Sequence, residues 1–174
     1  EAKALVNIGA MYGVNHEYSS ALEIFQESLD IFINLNNNLW AGYSYSNIAE
    51  CYYYKGNYKQ ALENNSKAID IFIKLKAINN ILMSYNNQVK NNYNLENYNE
   101  VLKISDKAIS EIEETGRYTG FLIELNIYKY LSNIKLFGTS NIDRVTEHLS
   151  YGTIFYDSYY YLYKIYNNIA YLDS

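Results

Sequence analysis

Asn7-Ile8-Gly9-Ala10-Met11-Tyr12 reappears forty residues later as Asn47-Ile48-Ala49-Glu50-Cys51-Tyr52, and that recurrence decides the fold. Working outward, Tyr18 and Tyr58 each follow eleven residues after the leading asparagine. Ala21-Leu22-Glu23 is then answered by Ala61-Leu62-Glu63, and Ser28-Leu29-Asp30-Ile31-Phe32-Ile33 by Ala68-Ile69-Asp70-Ile71-Phe72-Ile73. A third copy carries Tyr85-Asn86-Asn87-Gln88-Val89, Tyr98, Val101-Leu102 and Ala108-Ile109, with Gln88 and Asn92 in place of the earlier Ile and Tyr. A fourth, from about Phe121 to Tyr156, keeps helical spacing but stretches its turn around Gly138-Thr139-Ser140-Asn141, and Tyr166-Asn167-Asn168-Ile169-Ala170 restores the opening signature. The expected units are therefore 2–40, 41–80, 81–120, 121–157 and the first helix of a fifth at 158–174. The unfinished fifth unit and the start without Met predict a piece of a longer protein.

Within each unit the apolar residues fall at helical intervals: Leu5, Ile8 and Tyr12, then Leu22, Phe25, Leu29 and Phe32. Two helices per unit follow. Gly56 marks the turn between them in the second copy, because glycine is the common residue where a helix ends in a left-handed conformation. His16 takes the same place in the first copy and is expected to play the same role. Small residues at Gly9, Ala49 and Ala170, and at Ala21, Ala61, Ala68 and Ala108, let helices approach closely. Lys129 falls at that place in the fourth copy.

Composition agrees. The chain is 49% hydrophobic and 19% charged, with 22 Tyr and no Pro, which suits long uninterrupted helices and excludes a disordered chain. A net charge of -5 without a basic stripe argues against nucleic-acid binding. No apolar run approaches the roughly 18 residues of a spanning helix, so membrane insertion is not expected. The lone Cys51 cannot form an internal disulfide or a zinc cluster and fits a reducing, cytoplasmic setting.

The motif Leu5-x-x-Ile8-Gly9-x-x-Tyr12, followed by Ala21-x-x-x-Phe25, resembles the tetratricopeptide repeat. Tyr45, Ile48, Ala49, Tyr52, Ala61 and Ala68 repeat it, with Asn65 departing from the aromatic. The resemblance implies an all-α fold, a right-handed superhelical α-solenoid of antiparallel helix pairs whose first helices line a concave groove. The family's common unit is about 34 residues and usually ends in proline, whereas this variety runs forty and has none.

That implication selects a face of the first helices: Lys3, Val6, Asn7 and Ala10; Tyr43, Ser46, Asn47, Glu50 and Tyr54; Met83, Asn86, Asn87 and Lys90. Asn7, Asn47, Asn87 and Asn168 form its sharpest constellation, since an amide side chain both donates and accepts and can bridge an extended peptide backbone. Tyr43, Tyr53, Tyr54 and Tyr93 would add contact area. The competing explanation is that a chain rich in Asn and Tyr scatters them everywhere. A clamp for a chaperone's C-terminal carboxylate is disfavoured, because Val6, Ala10, Met83 and Asn87 stand among the expected basic places and only Asn47 matches.

No phosphate loop, His-Glu-x-x-His, Cys-x-x-Cys or Gly-x-Ser-x-Gly motif occurs, so neither cofactor, metal nor catalysis is expected. His16 and His148 belong to different units, and Glu111, Glu113 and Glu114 read as a solvated helix face with Glu124 unassigned. Tyr156, Tyr159, Tyr160, Tyr161, Tyr163, Tyr166 and Tyr171 crowd the last stretch, where self-association is a further expectation. The leading functional expectation is a protein- or peptide-binding scaffold. Its alternatives are the sensory domain of a peptide-responsive bacterial regulator and a spacer without a groove ligand.

Overall fold

Helix length and turn geometry together account for the forty-residue step. A computed structural model describes residues 2–115 and 121–137, which form α1 (Ala2–Val14), α2 (Tyr18–Asn34), α3 (Asn38–Tyr54), α4 (Tyr58–Lys74), α5 (Ile78–Asn94), α6 (Tyr98–Thr115) and α7 (Phe121–Phe137). From α2 to α5 every helix has 17 residues and every connection three, so two helices and two turns fill one period. Asn168, His148, the Gly138–Asn141 turn and the C-terminal tyrosines lie outside the described residues.

One turn is used five times. A residue of positive φ recurs every twentieth position: His16 (63°), Asn36 (51°), Gly56 (75°), Lys76 (54°) and Glu96 (61°). At each, its amide bonds the carbonyl three residues back, and the following amide reaches five back. His16 N–H donates to Gly13 O at 3.0 Å and Glu17 N–H to Tyr12 O at 2.9 Å; Gly56 and Asn57 donate likewise to Tyr53 and Tyr52. This doubly bonded ending satisfies carbonyls that a helix terminus otherwise leaves open. The second residue then starts the next helix, as Glu17 O accepts from Ala21 N–H at 3.0 Å. The turn role expected of Gly56 and His16 is thus shared by Asn36, Lys76 and Glu96.

Consecutive helices pack throughout, and the odd-numbered helices α1, α3, α5 and α7 also touch their odd neighbours, while the even-numbered ones approach one another less. The odd helices therefore form an inner layer and the even helices an outer one. Between the layers lies a core that starts with Ala21, Phe25, Leu29, Phe32, Ala41 and Ile48 and continues through Ala68, Phe72, Leu82, Val89 and Val101. The small residues sit where close approach is needed: Ala21, Ala61, Ala68 and Ala108 are fully buried. A Cβ at Gly9 would lie 2.7 Å from the Phe25 ring, and one at Gly42 would lie 2.8 Å from Phe72. Successive units hold Gly9 with Phe25, Ala49 with Asn65, and Val89 with Ser105 at the same two positions, so one side grows as the other shrinks. Asn65, the departure from the aromatic pattern, is fully buried and donates from Nδ2 to Ser84 O at 2.7 Å.

Five residues depart from expectation. Val6, Ser46 and Asn86 are buried, not groove-facing, and Ile8 is 42% exposed although Ile48 is buried. Positions 6, 46 and 86 turn toward the next helix pair, while 8 and 48 turn toward the preceding one. Ile48 meets α2 there, and no described helix lies on that side of Ile8. In the fourth unit α7 begins 43 residues after α5, not forty, so Lys129 misses the small-residue place and pairs instead with Asp106 of α6.

Candidate groove on the inner helices

One stripe of each odd helix stays open. Helical spacing puts positions i, i+4, i+7 and i+11 on a common face. Lys3, Asn7, Ala10 and Val14 of α1 form that stripe, followed by Tyr43, Asn47, Glu50 and Tyr54 of α3, and Met83, Asn87, Lys90 and Asn94 of α5. All twelve are exposed or half-buried. Of the proposed groove set, the structure brings Lys3, Asn7, Tyr43, Asn47, Glu50, Tyr54, Asn87 and Lys90 to this face and withdraws Asn86. The Asn86 side chain, 2% exposed, donates from Nδ2 to Glu124 of α7.

The asparagines differ in what their amides bond. Asn64, Asn91, Asn92, Asn94, Asn126 and Asn133 each donate to the carbonyl four residues back in their own helix, at 2.7–3.0 Å. Asn7, Asn47 and Asn87 make no side-chain hydrogen bond among the described residues, so their amides remain available on the stripe.

The aromatic members are more constrained. The Tyr43 ring lies between Trp40, at 5.5 Å, and Phe72, at 5.7 Å, and so serves packing. Tyr54 stacks on Tyr18 with centroids 5.1 Å apart and planes at 10°. Tyr53 packs against Tyr58, and Tyr93 packs against both Tyr98 and Tyr128, which ties α5 to α7. Lys3 is drawn across to α3, with Nζ 4.8 Å from the Trp40 ring centroid.

Charges alternate across the inner layer in the order Glu50, Lys90, Glu124. Lys90 Nζ is 2.9 Å from Glu124 Oε1, and the other carboxylate oxygen takes the Asn86 amide. Glu124 was missed in the sequence because, with α7 starting 43 residues after α5, it takes the place of the buried Ile81 and not a place on the open stripe. Burial raises the Glu50 pKa above the ordinary carboxylate value, and Lys90 pulls it partly back. Burial also pushes the Cys51 thiol up to about 11, with Glu50 adding to the rise, so this cysteine is a packing residue rather than a nucleophile. His16 Nδ1 lies 2.8 Å from the Tyr18 hydroxyl at the turn. Among the described residues no cluster of His, Cys, Asp or Glu could hold a metal ion, and no helix is long and apolar enough to cross a membrane.

Two clefts open between consecutive inner helices. The first, about 370 Å³, lies between α1 and α3 and is floored by Phe25 of α2. The second, about 60 Å³, lies between α3 and α5. Glu50 belongs to both.

No curated protein matches the sequence. Among solved structures, the fold is similar to a Podosopora anserina protein assigned as a kinesin light chain with nearly identical TPR-like repeats. That match has a TM-score of 0.69 and 12% identity, covering 84% of this chain and 72% of the other. The tetratricopeptide repeat family profile matches residues 1–74, the stretch holding the first two helix pairs. The seven described helices, stacked consecutively, thus form an all-α repeat solenoid of the tetratricopeptide-like kind, and its first two helix pairs match that family's profile.

Proposed function

We propose that this chain is a binding scaffold, not an enzyme, and that it holds an extended segment of a protein or peptide partner along the open face of α1, α3 and α5. Tetratricopeptide repeats generally mediate protein–protein interaction. What supports the use of this face is a contrast among the asparagines. Six bond their own helices, whereas Asn7, Asn47 and Asn87, at one position of three successive units, keep their amides unused. Packed helices stand about 8–10 Å apart, and an extended chain advances about 3.3 Å per residue. One rung would therefore meet every third residue of the partner's backbone. An amide that donates and accepts can bond a peptide unit whatever its side chain, so the ladder supplies grip and neighbouring residues supply selection. The acidic balance of the chain and the lone buried Cys51 favour a protein partner in a reducing, cytoplasmic setting over nucleic acid.

The test compares the parent with an Asn47→Ala/Asn87→Ala variant of equal helicity. Partners retained from the source-cell extract are identified by mass, and their affinity for both forms is then titrated. Loss of hydrogen bonds worth about 0.5–1.5 kcal/mol each predicts a weakening of roughly five- to a hundredfold. Equal affinity would remove the ladder from the interface. Retention by neither form would favour a spacer.

A further inference from the structure

The two clefts are the same feature in successive units. Adding forty to Ala10, Gly13, Val14, Asn47, Glu50 and Cys51 around the larger one gives Glu50, Tyr53, Tyr54, Asn87, Lys90 and Asn91 around the smaller, while the places of His16, Tyr18, Phe25 and Tyr54 have no counterpart there. Among the shared positions the change that adds a ring is at Gly13, which becomes Tyr53 in the second unit and Tyr93 in the third. Tyr53 lines the reduced cleft of about 60 Å³, and Tyr93 bridges to Tyr128 at 5.3 Å in the unit after. At Gly13 that ring is missing and the cleft measures about 370 Å³. Neither conformation nor packing demands glycine there. Its φ is not positive, and a Cβ would meet nothing within 4 Å. A helical glycine is unfavourable without such a reason.

We infer that the α1–α3 cleft accepts an aromatic side chain from a bound peptide, which takes the place that the chain's own Tyr53 and Tyr93 take in the later units, and that a basic residue next to it pairs with Glu50. This rests on the proposed groove. Phe25 and Gly13 give the cleft an apolar side with the exposed Val14 at its mouth, while Asn47, Glu50 and Tyr54 form its polar edge on the groove face. An aromatic body with a polar tip suits such a site. The charge follows from the repeat as well. The second cleft has Lys90 to face Glu50, whereas the first has Ala10 in the corresponding place and no Lys or Arg in its lining, its His16 lying against the Tyr18 hydroxyl, so Glu50 presents its carboxylate there. The partner is therefore a segment with Phe, Tyr or Trp beside Lys or Arg.

Selection of a random phage-displayed library of about twelve-residue peptides on the whole chain tests this, followed by titration of synthetic peptides. Enrichment of an aromatic residue beside a basic one is expected. Replacing that peptide aromatic by Ala, or Gly13 by Tyr, should each weaken binding about tenfold or more. Glu50→Gln should reduce the preference for the basic neighbour. Because the peptide substitution is read on the unmodified protein, the outcome does not depend on how G13Y folds. Peptides that need Asn47 and Asn87 but show no aromatic preference, or that bind G13Y unchanged, would overturn the cleft assignment and leave the groove standing. Aromatic peptides indifferent to Asn47→Ala/Asn87→Ala would remove the ladder and keep the cleft. A library that yields no binder would overturn both.

Discussion

The α1–α3 cleft and the α3–α5 cleft share equivalent positions, yet one encloses about 370 Å³ and the other about 60 Å³. A single residue per unit, Gly13 against Tyr53, accounts for the missing ring, and the neighbouring Phe25 against Asn65 shows the outer helix changing with it. In a repeat scaffold the backbone geometry is shared by all units, so selectivity has to come from such local departures. The regular positions build the stack, and the irregular ones are where a partner can be distinguished.

The largest effect that separates the two regions is expected from their buried rings. Phe72 is fully buried beside Gly42, and Phe72→Ala should cost about 3–5 kcal/mol in urea unfolding. Phe25 forms one wall of the open cleft, so Phe25→Ala removes contacts on one side only and should cost at least about 1 kcal/mol less. Equal losses would mean that the first cleft is closed in solution.

Next comes the exchange of the deciding residue. Tyr53→Gly should cost about 2 kcal/mol, the sum of a helical glycine and lost ring contacts against Tyr58, and should open a second cleft. In the opposite direction, Gly13→Ala should stabilise by about 0.5–1 kcal/mol, since a methyl group there meets no atom and restores helix propensity. A loss of stability in G13A would show that the glycine serves packing, and the case for a ligand site would lose its first step.

The helix pairs were legible because Ile8, Ile48, Phe32 and Phe72 recur at one spacing with large apolar side chains. The turns were half legible. Gly56 announces a left-handed residue, but Lys76 and Glu96 adopt the same φ because the terminal hydrogen bonds impose it, at a local cost of about 1–2 kcal/mol that propensity alone argues against. For the groove, Asn7 and Asn47 were placed on the open face, yet Val6, Ser46 and Asn86 were assigned with them. Adjacent residues on a helix diverge by about 100°, so only one of each pair could face outward. Glu124 was not legible because its repeat counterpart, Ile81, is a buried apolar residue, so nothing in the pattern places a carboxylate beside Lys90. Gly13 was visible beside Tyr53 and Tyr93 all along, but its meaning needed the volume it leaves empty.

The smallest expected effect concerns Glu50, the residue shared by both clefts. Its side chain reaches solvent, yet the surrounding protein desolvates it enough to raise its pKa above the 4.5 of a free glutamate, against the partial pull of Lys90. A carboxyl group with a raised folded-state pKa binds its proton more tightly in the folded than in the unfolded chain. Its ionisation therefore lowers stability as pH rises from the unfolded pKa through the folded one, and the penalty is absent below both. Glu50→Gln should stabilise the chain at neutral pH by a few tenths of a kcal/mol, after allowance for solvent screening, and the gain should vanish below about pH 4. A basic peptide residue at the first cleft would favour the charged form. Its affinity should then rise with pH across the Glu50 titration, and E50Q should flatten that profile. A flat profile in the parent would mean that Glu50 faces no basic group of the ligand and that the two clefts are distinguished by volume and not by charge.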